Sequence, residues 1–297
     1  GMINYMLKEC DFSTVNESKM DLENLKIGEP KAVATFISYA EAKVLHNEAS
    51  ASVESLFKQV NQLESKAPVI GITGTGGAGK SSLTDELIRR FLNEVPDLKI
   101  AVLSVDPTKQ KTGGALLGDR IRMNAIFSPR VYMRSLATRK SKTELSLAIQ
   151  DAISVVKGAG FGLVIVETSG IGQGDAEIAE ICDLSLYVMT SEFGAPSQLE
   201  KIDMIDYADL IVINKFERKG SEDAKRQVQK QFQRSRQLFD QPLNAMPVYG
   251  TIASQFNDLG TNTLFARLLE LINEKANKKW QTSLPVADDV EKQNVII

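Results

Sequence analysis

One segment of the sequence constrains the fold more than any other. Residues 74 to 81 fit the pattern G-x-x-x-x-G-K-[ST], with Gly74, Gly79, Lys80 and Ser81 at the fixed positions. By chance these positions would match in about one chain of this length in a hundred. An apolar run before the pattern predicts a strand, and an amphipathic stretch after it predicts a helix. Together they predict a phosphate-binding P-loop, because glycines let backbone N–H groups turn inward around phosphates.

The P-loop predicts binding, and hydrolysis, of a nucleoside triphosphate with Mg²⁺. The N-terminus of the following helix adds a positive partial charge beside the phosphates. We expect Lys80 to reach the β- and γ-phosphates and to act in catalysis, and the Ser81 hydroxyl to ligate Mg²⁺. The residues expected to bind phosphate are Gly74, Gly76, Gly77, Ala78, Gly79, Lys80 and Ser81.

From Pro68 onward, short apolar runs alternate with helical stretches. The runs are apolar throughout, as in strands that are buried on both faces. This alternation predicts an α/β fold with a doubly wound, mostly parallel sheet, in which ligands bind at the carboxyl ends of the strands. The predicted strands are Val69–Thr73, Ile100–Val105, Val131–Met133, Leu163–Val166, Leu184–Met189, Leu210–Ile213 and Pro247–Tyr249.

Two apolar stripes with helical spacing precede the sheet and predict an N-terminal helical hairpin. We therefore divide the chain into a loosely ordered segment (1–28), a helical extension (29–67), a P-loop domain (68–276) and a linker or C-terminal extension (277–297). Gly1 before Met2 is typical of a residue left by tag cleavage, and the final run is apolar. We expect the chain to be a piece of a longer polypeptide.

Acidic residues follow two of the predicted strands. Glu167 and Thr168 come after one strand and Asp106 after another. An acidic strand end in a P-loop protein usually addresses Mg²⁺, so Glu167 and Asp106 are candidate catalytic and metal-binding residues and Thr168 could assist. The alternative, that Glu167 is an acidic residue at a strand end with no role in metal binding, remains open. Gly170 can offer its N–H to the γ-phosphate.

The loop after Asp106 has the composition of a nucleotide switch. It contains adjacent glycines at 113 and 114, which would let it reorganise when the γ-phosphate is lost. Asp119 is a second hard oxygen donor for Mg²⁺. Arg122 or Arg120 could neutralise phosphate charge, and an exposed helix face remains the alternative for both.

A third motif bears on the choice of base. Asn214, Lys215, Phe216 and Glu217 follow the strand 210–213 and resemble the guanine signature N-K-x-D. A carboxylate there accepts hydrogen bonds from guanine N1–H and the N2 amine, which adenine lacks. Glu217 stands where the signature has Asp, so the strictness of guanine selection stays open. Backbone groups of residues 251–254 could also contact the base.

Composition excludes several function classes. The net charge of −3 does not suggest a nucleic-acid partner. The single histidine excludes a histidine-rich metal site, and two cysteines that lie far apart in the sequence are too few for a disulfide framework. No apolar run approaches the ~18 residues of a membrane helix. We expect a cytoplasmic protein without nucleic-acid or membrane partners.

Taken together, the motifs resemble those of the MeaB-like (ArgK) GTPase chaperones of adenosylcobalamin-dependent acyl-CoA mutases. The resemblance covers about residues 30 to 275, keeps the motif order, and is closest to family members fused to an isobutyryl-CoA mutase. The segments that carry it are 74–81, Asp106-Pro107 with Thr112-Gly113-Gly114, 118–123, 167–173 and 214–217.

The resemblance implies a SIMIBI-type G domain that binds GTP or GDP with Mg²⁺ and gates cofactor loading and protection of a methylmalonyl- or isobutyryl-CoA mutase. The mutase would be attached in cis or act in trans, and only the mutase would bind adenosylcobalamin. Ser82 would join the phosphate cradle, the Val105 carbonyl would join the metal shell, and Arg122 would approach the phosphates. The full metal set it implies is Ser81, Val105, Asp106, Asp119, Glu167 and Thr168. A homodimer is left open.

Two other functions fit a P-loop of this kind. A P-loop kinase acting on a small molecule should prefer ATP and needs an acceptor pocket, which the sequence does not reveal. A nickel-insertion GTPase uses clusters of Cys and His, and this chain has a single His46 with Cys10 and Cys182 far apart. The mutase chaperone therefore remains the leading hypothesis.

Overall fold

A computed structural model describes residues 20–46, 51–63, 65–107, 123–138, 142–168, 179–194, 199, 202 and 204–286, without the side chains of 45–46, 106–107, 137–138 and 142–147. The chain divides into two compact units. The helical unit comprises Gly1–Ser65 with Thr143–Gly160, and the sheet unit comprises Lys66–Lys142 with Phe161–Ile297. The predicted domain boundaries remain a proposal.

The helical unit contains α1 (Leu22–Lys26), α2 (Pro30–His46), α3 (Ala51–Gln62) and α5 (Lys142–Gly158). Asp21 caps α1 by accepting hydrogen bonds from the N–H groups of Glu23 and Asn24. Phe36 of α2 and Phe57 of α3 pack edge to face with ring centroids 6.2 Å apart. Lys43 donates to Asp151 of α5 at 3.3 Å. The predicted pair of N-terminal helices is thus present, and the helix between β3 and β4 packs with it.

In the sheet unit, the structure describes a seven-stranded, wholly parallel sheet with the order β3-β2-β4-β1-β5-β6-β7. All seven predicted strands form, several reaching further toward their carboxyl ends than the apolar runs. Their bounds are β1 Val69–Gly74, β2 Ile100–Pro107, β3 Val131–Thr138, β4 Leu163–Thr168, β5 Leu184–Met189, β6 Leu210–Asn214 and β7 Val248–Thr251. The remaining described helices are α4 Lys80–Glu94, α6 Met204–Tyr207, α7 Ser221–Ser235 and α8 Leu259–Ala276, with 3₁₀ turns at Ala125–Phe127, Ser191–Phe193 and Leu243–Ala245.

Alternate residues of the strands enter two separate cores, which is what a doubly wound sheet requires. Leu184, Leu186 and Val188 of β5 face the core formed with α4 and α8. Tyr187 and Met189 of the same strand face the core formed with α6 and α7. The predicted α/β fold is confirmed.

Residues 277–286 form no helix or strand, yet they are held against α4 and α8. The Asn273 side chain accepts a hydrogen bond from the Trp280 N–H at 2.9 Å and donates one to the Trp280 carbonyl oxygen at 2.8 Å. The Trp280 ring packs on Phe91 with centroids 5.9 Å apart. The Glu94 carboxylate accepts from the Ser283 N–H at 2.6 Å, which lowers the pKa of Glu94.

Within the described part of the chain, no helix is long and apolar enough to cross a membrane.

Candidate functional site

The P-loop connects the end of β1 to the start of α4, as predicted. Gly74 has φ +146°, and a Cβ there would lie 1.8 Å from the Val188 carbonyl oxygen of β5. Gly79 has φ +85° as the N-cap of α4. A side chain is excluded at the first position by the close approach of β5, and the second needs the left-handed backbone that glycine adopts readily. Both glycines of the pattern are thus required by the local geometry.

Lys80 points back over the loop. Its Nζ donates to the carbonyl oxygens of Gly74 and Thr75, both at 3.0 Å, and the residue is buried. An ammonium held by carbonyl groups at the mouth of the loop can exchange these acceptors for phosphate oxygens, which are stronger partners because they are charged. Ser82 is exposed in the first turn of α4.

Two predicted metal ligands from distant parts of the sequence meet beside the P-loop. The Ser81 hydroxyl, in the first turn of α4, donates to Glu167 Oε1 at the end of β4 over 2.7 Å. Glu167 is 3% exposed. Adjacent ligands of an octahedral Mg²⁺ ion lie about 3 Å apart, since each metal–oxygen bond is about 2.1 Å. Both the spacing and the oxygen donors therefore fit Mg²⁺.

The other described metal candidates lie on neighbouring strands. Val105 of β2 stands opposite Thr168 of β4 in the sheet register. The Thr168 hydroxyl donates to Thr73 Oγ1 of β1 at 2.9 Å, so in this structure it faces the sheet neighbour. Thr73 did not appear among the sequence candidates, because only the pairing of β1 with β4 brings it there.

Some predicted site residues lie outside the described part of the chain. These are the Asp106 side chain and the residues Gly113, Gly114, Asp119, Arg120, Arg122 and Gly170. Their roles remain predictions. The backbone of Asp106 belongs to β2 and pairs with Ala137 of β3.

Asn214 joins the predicted base-binding segment to the P-loop. It ends β6, is 2% exposed, and its Nδ2 donates to the Ala78 carbonyl oxygen at 2.7 Å. Its Oδ1 accepts from the Thr251 hydroxyl at 3.1 Å and from the Ala253 N–H at 3.2 Å. A single amide therefore bridges the phosphate loop and the segment after β7. Residues from two separate motifs are thus in direct contact.

The residues after Asn214 divide between anchoring and exposure. Lys215 has φ +57° and its Nζ donates to the Gly77 carbonyl oxygen at 2.7 Å. The Phe216 ring is buried against Gly250 of β7. Glu217 is exposed in the following turn. Phe216 thus anchors the turn within the protein, which leaves the Glu217 carboxylate accessible to a ligand.

Comparison with known proteins places this geometry in a family. The family model described as methylmalonyl-CoA mutase-associated GTPase MeaB matches residues 33–292. The chain belongs to the MeaB family of GTPases. As a member it is a GTPase and binds guanine nucleotides, and the small-molecule kinase is not favoured.

Relatives in the MeaB family include much longer proteins. A fused isobutyryl-CoA mutase of Geobacillus kaustophilus is 72% identical over 299 residues, covering 100% of this chain and 28% of the relative. A fused isobutyryl-CoA mutase of Cupriavidus metallidurans is 51% identical over 286 residues, covering 96% of this chain and 26% of the relative. The chain therefore spans about a quarter of the length of these relatives.

A solved structure supports the fold independently. The crystal structure of an LAO/AO transport system kinase superposes with a TM-score of 0.64 and 22% sequence identity. The match covers 89% of this chain and 78% of that one. At this identity the likeness shows the fold alone.

Proposed function

We propose that the site described above reads guanine through Asn214 to Glu217, holds Mg²⁺ beside Ser81 and Glu167, and uses its nucleotide state to control an adenosylcobalamin-dependent acyl-CoA mutase. The observation that carries the proposal is the Asn214 bridge. Its amide contacts the P-loop at Ala78 and the segment after β7 at Ala253, so the phosphate and base ends are one hydrogen-bonded assembly.

The metal proposal rests on the 2.7 Å Ser81–Glu167 pair. The further oxygen donors proposed are the Val105 carbonyl, Asp106, Asp119 and Thr168. When bound, Mg²⁺ would neutralise charge on the phosphate oxygens. The protein's own part is to orient those oxygens with the P-loop N–H groups and with Lys80. Arg122 and the Gly170 N–H are proposed to complete the phosphate contacts.

The mutase proposal rests on the family and on its relatives. The family is described as mutase-associated, and two of its long members are fused isobutyryl-CoA mutases. We place residues 68–276 in the role of a G domain that gates cofactor loading and protects the mutase, in the same chain or as a separate cytoplasmic subunit. Hydrolysis would be slow alone and faster with the mutase, as in other switch GTPases.

A domain exchange tests this proposal. This chain replaces the matching segment of the Geobacillus kaustophilus relative, whose 72% identity favours a compatible fit. Transfer of adenosylcobalamin to the chimera is followed spectroscopically with GTP, with GDP and without nucleotide, and Lys80→Ala in the same chimera is the control. We expect loading to depend on the nucleotide and to lose that dependence in Lys80→Ala. Equal loading under all conditions would refute the coupling.

A further inference from the structure

We propose that Asp258 is a positioning residue for guanine recognition. It would hold residues 251–254, which we call the base loop, in the place where Asn214 engages them. The inference rests on the proposed base site at 214–217 and assigns a residue outside its motifs. Asp258 lies four positions beyond the base loop and caps α8.

The Asp258 carboxylate makes one contact that a helix cap does not need. It is 4% exposed, and its Oδ2 accepts from the Thr261 N–H at 2.8 Å and from the Thr261 hydroxyl at 2.6 Å. The first of these bonds caps α8, and the second joins the carboxylate to a side chain in the first turn of the same helix. The same oxygen accepts a third bond from the Ile252 N–H at 2.9 Å, outside the helix. The third bond ties the base loop to the start of α8.

The base loop is also held by hydrogen bonds to Asn214 of the candidate nucleotide site. The Thr251 hydroxyl and the Ala253 N–H both donate to Asn214 Oδ1. The Ile252 N–H, between them in sequence, donates the opposite way to Asp258. Successive residues of the loop are thus pinned alternately to Asn214 and to Asp258. Removing one side leaves the loop attached only to the side chain that is itself expected to read the base.

The start of α8 is a fixed anchor. Arg90 of α4 donates through Nε to Asn262 Oδ1 at 2.9 Å, and both residues are buried. A Cβ at Gly260 would lie 2.1 Å from the Gly250 carbonyl oxygen, so α8 begins directly against β7. Through Asp258, the base loop is therefore held at a fixed place relative to α4, the helix that follows the P-loop.

A buried loop N–H that loses its acceptor is left unsatisfied at a cost in free energy, so the bond from Ile252 to Asp258 holds the loop in place. Losing the bond to Ile252 would loosen the backbone groups that face the base while the P-loop keeps its own contacts at Lys80 and Ala78. We therefore expect guanine affinity to fall without a matching loss of phosphate affinity. General damage to the protein would weaken both.

Two substitutions separate the loop contact from the cap. Asp258→Ser keeps an N-capping oxygen, but that oxygen lies one bond closer to the backbone and falls short of Ile252. Asp258→Asn keeps an acceptor at full reach. Asp21→Ser is the matched control, because Asp21 also caps a helix with its carboxylate, in the helical unit. Asp258→Thr repeats the test with a second capping hydroxyl should Asp258→Ser not fold.

Dissociation constants for GDP, ADP and inorganic pyrophosphate, a base-free probe, are measured with Mg²⁺. We expect Asp258→Ser to weaken GDP about tenfold and to leave pyrophosphate unchanged, with Asp258→Asn within about threefold of the parent protein. Asp21→Ser should change neither constant. Equal losses for GDP and pyrophosphate, or unchanged GDP binding, would overturn the role of Asp258. Equal GDP and ADP affinity in the parent protein would instead overturn the base site itself.

Discussion

Gly79→Ala tests whether the last glycine of the P-loop is needed for its left-handed backbone alone or also for its close contact with Asn214. Gly79 has φ +85°, and a Cβ there would lie 2.6 Å from Asn214 Nδ2, which donates to the Ala78 carbonyl oxygen. Gly220 is also an N-cap glycine with φ +85°, but a Cβ there meets nothing within 4 Å. Gly220→Ala therefore shares the backbone strain and lacks the contact.

The expected magnitudes follow from this difference. Left-handed backbone costs alanine about 1–2 kcal/mol, offset by about 0.4–1 kcal/mol from the lower entropy of the unfolded chain. Gly220→Ala should therefore destabilise the sheet unit by at most about 1.6 kcal/mol. Gly79→Ala should lose about 1–3 kcal/mol more, because the Asn214 amide is displaced from a buried hydrogen bond.

The assay is urea unfolding of the nucleotide-free protein. Trp280 is the only tryptophan and packs on Phe91 of α4, so its fluorescence reports on the sheet unit. The free energy of unfolding is obtained by linear extrapolation. GDP binding should weaken in Gly79→Ala and stay unchanged in Gly220→Ala. Equal destabilisation of the two variants would refute the proposed contact between Gly79 and Asn214.

Three further predictions use the same protein. Lys80→Ala should reduce GTP hydrolysis by at least about 100-fold, because it removes the positive charge that is expected to contact the phosphates. Turnover near the parent rate in a phosphate-release assay would argue against the role assigned to Lys80. Incubation with GTP and candidate metabolites should yield GDP and phosphate, whereas a stoichiometric phosphorylated metabolite, detected by mass spectrometry, would support a kinase. Glu94→Gln should flatten the acid dependence of stability. Because the Ser283 N–H lowers the pKa of Glu94 below its ordinary 4.5, this contribution is present above pH 4.5 and is lost as the pH falls through the lowered value. A parent and variant with identical unfolding profiles between pH 6 and about pH 3 would contradict that reasoning.

Most of the fold could be predicted because its signals are local. Strands buried on both faces appear as uninterrupted apolar runs, and Leu184–Met189 was predicted with its observed bounds. The carboxyl ends of β2 and β3 extend beyond their apolar runs, since pairing between these strands continues through Asp106 and Thr138. Polar residues at strand ends carry no apolar signal, so the sequence underestimates the strands where the ligand site lies.

The site was predictable where a motif marks it and hidden where tertiary contacts create it. Ser81 and Glu167 could be proposed separately, and the pairing of β4 with β1, the strand that leads into the P-loop, brings them to 2.7 Å. Asp258 has the composition of an ordinary helix cap. Its third partner, Ile252, depends on how β7 meets α8, which no local pattern reveals.

The most direct test of the central claim is the base preference of the nucleotide site. Calorimetric titration of the Mg²⁺-containing protein with GDP and with ADP measures that preference without hydrolysis. The exposed Glu217 carboxylate and the Asn214 bridge predict GDP binding at least about tenfold tighter than ADP, a difference of about 1.4 kcal/mol. Equal affinities would contradict the assignment of residues 214–217 to guanine.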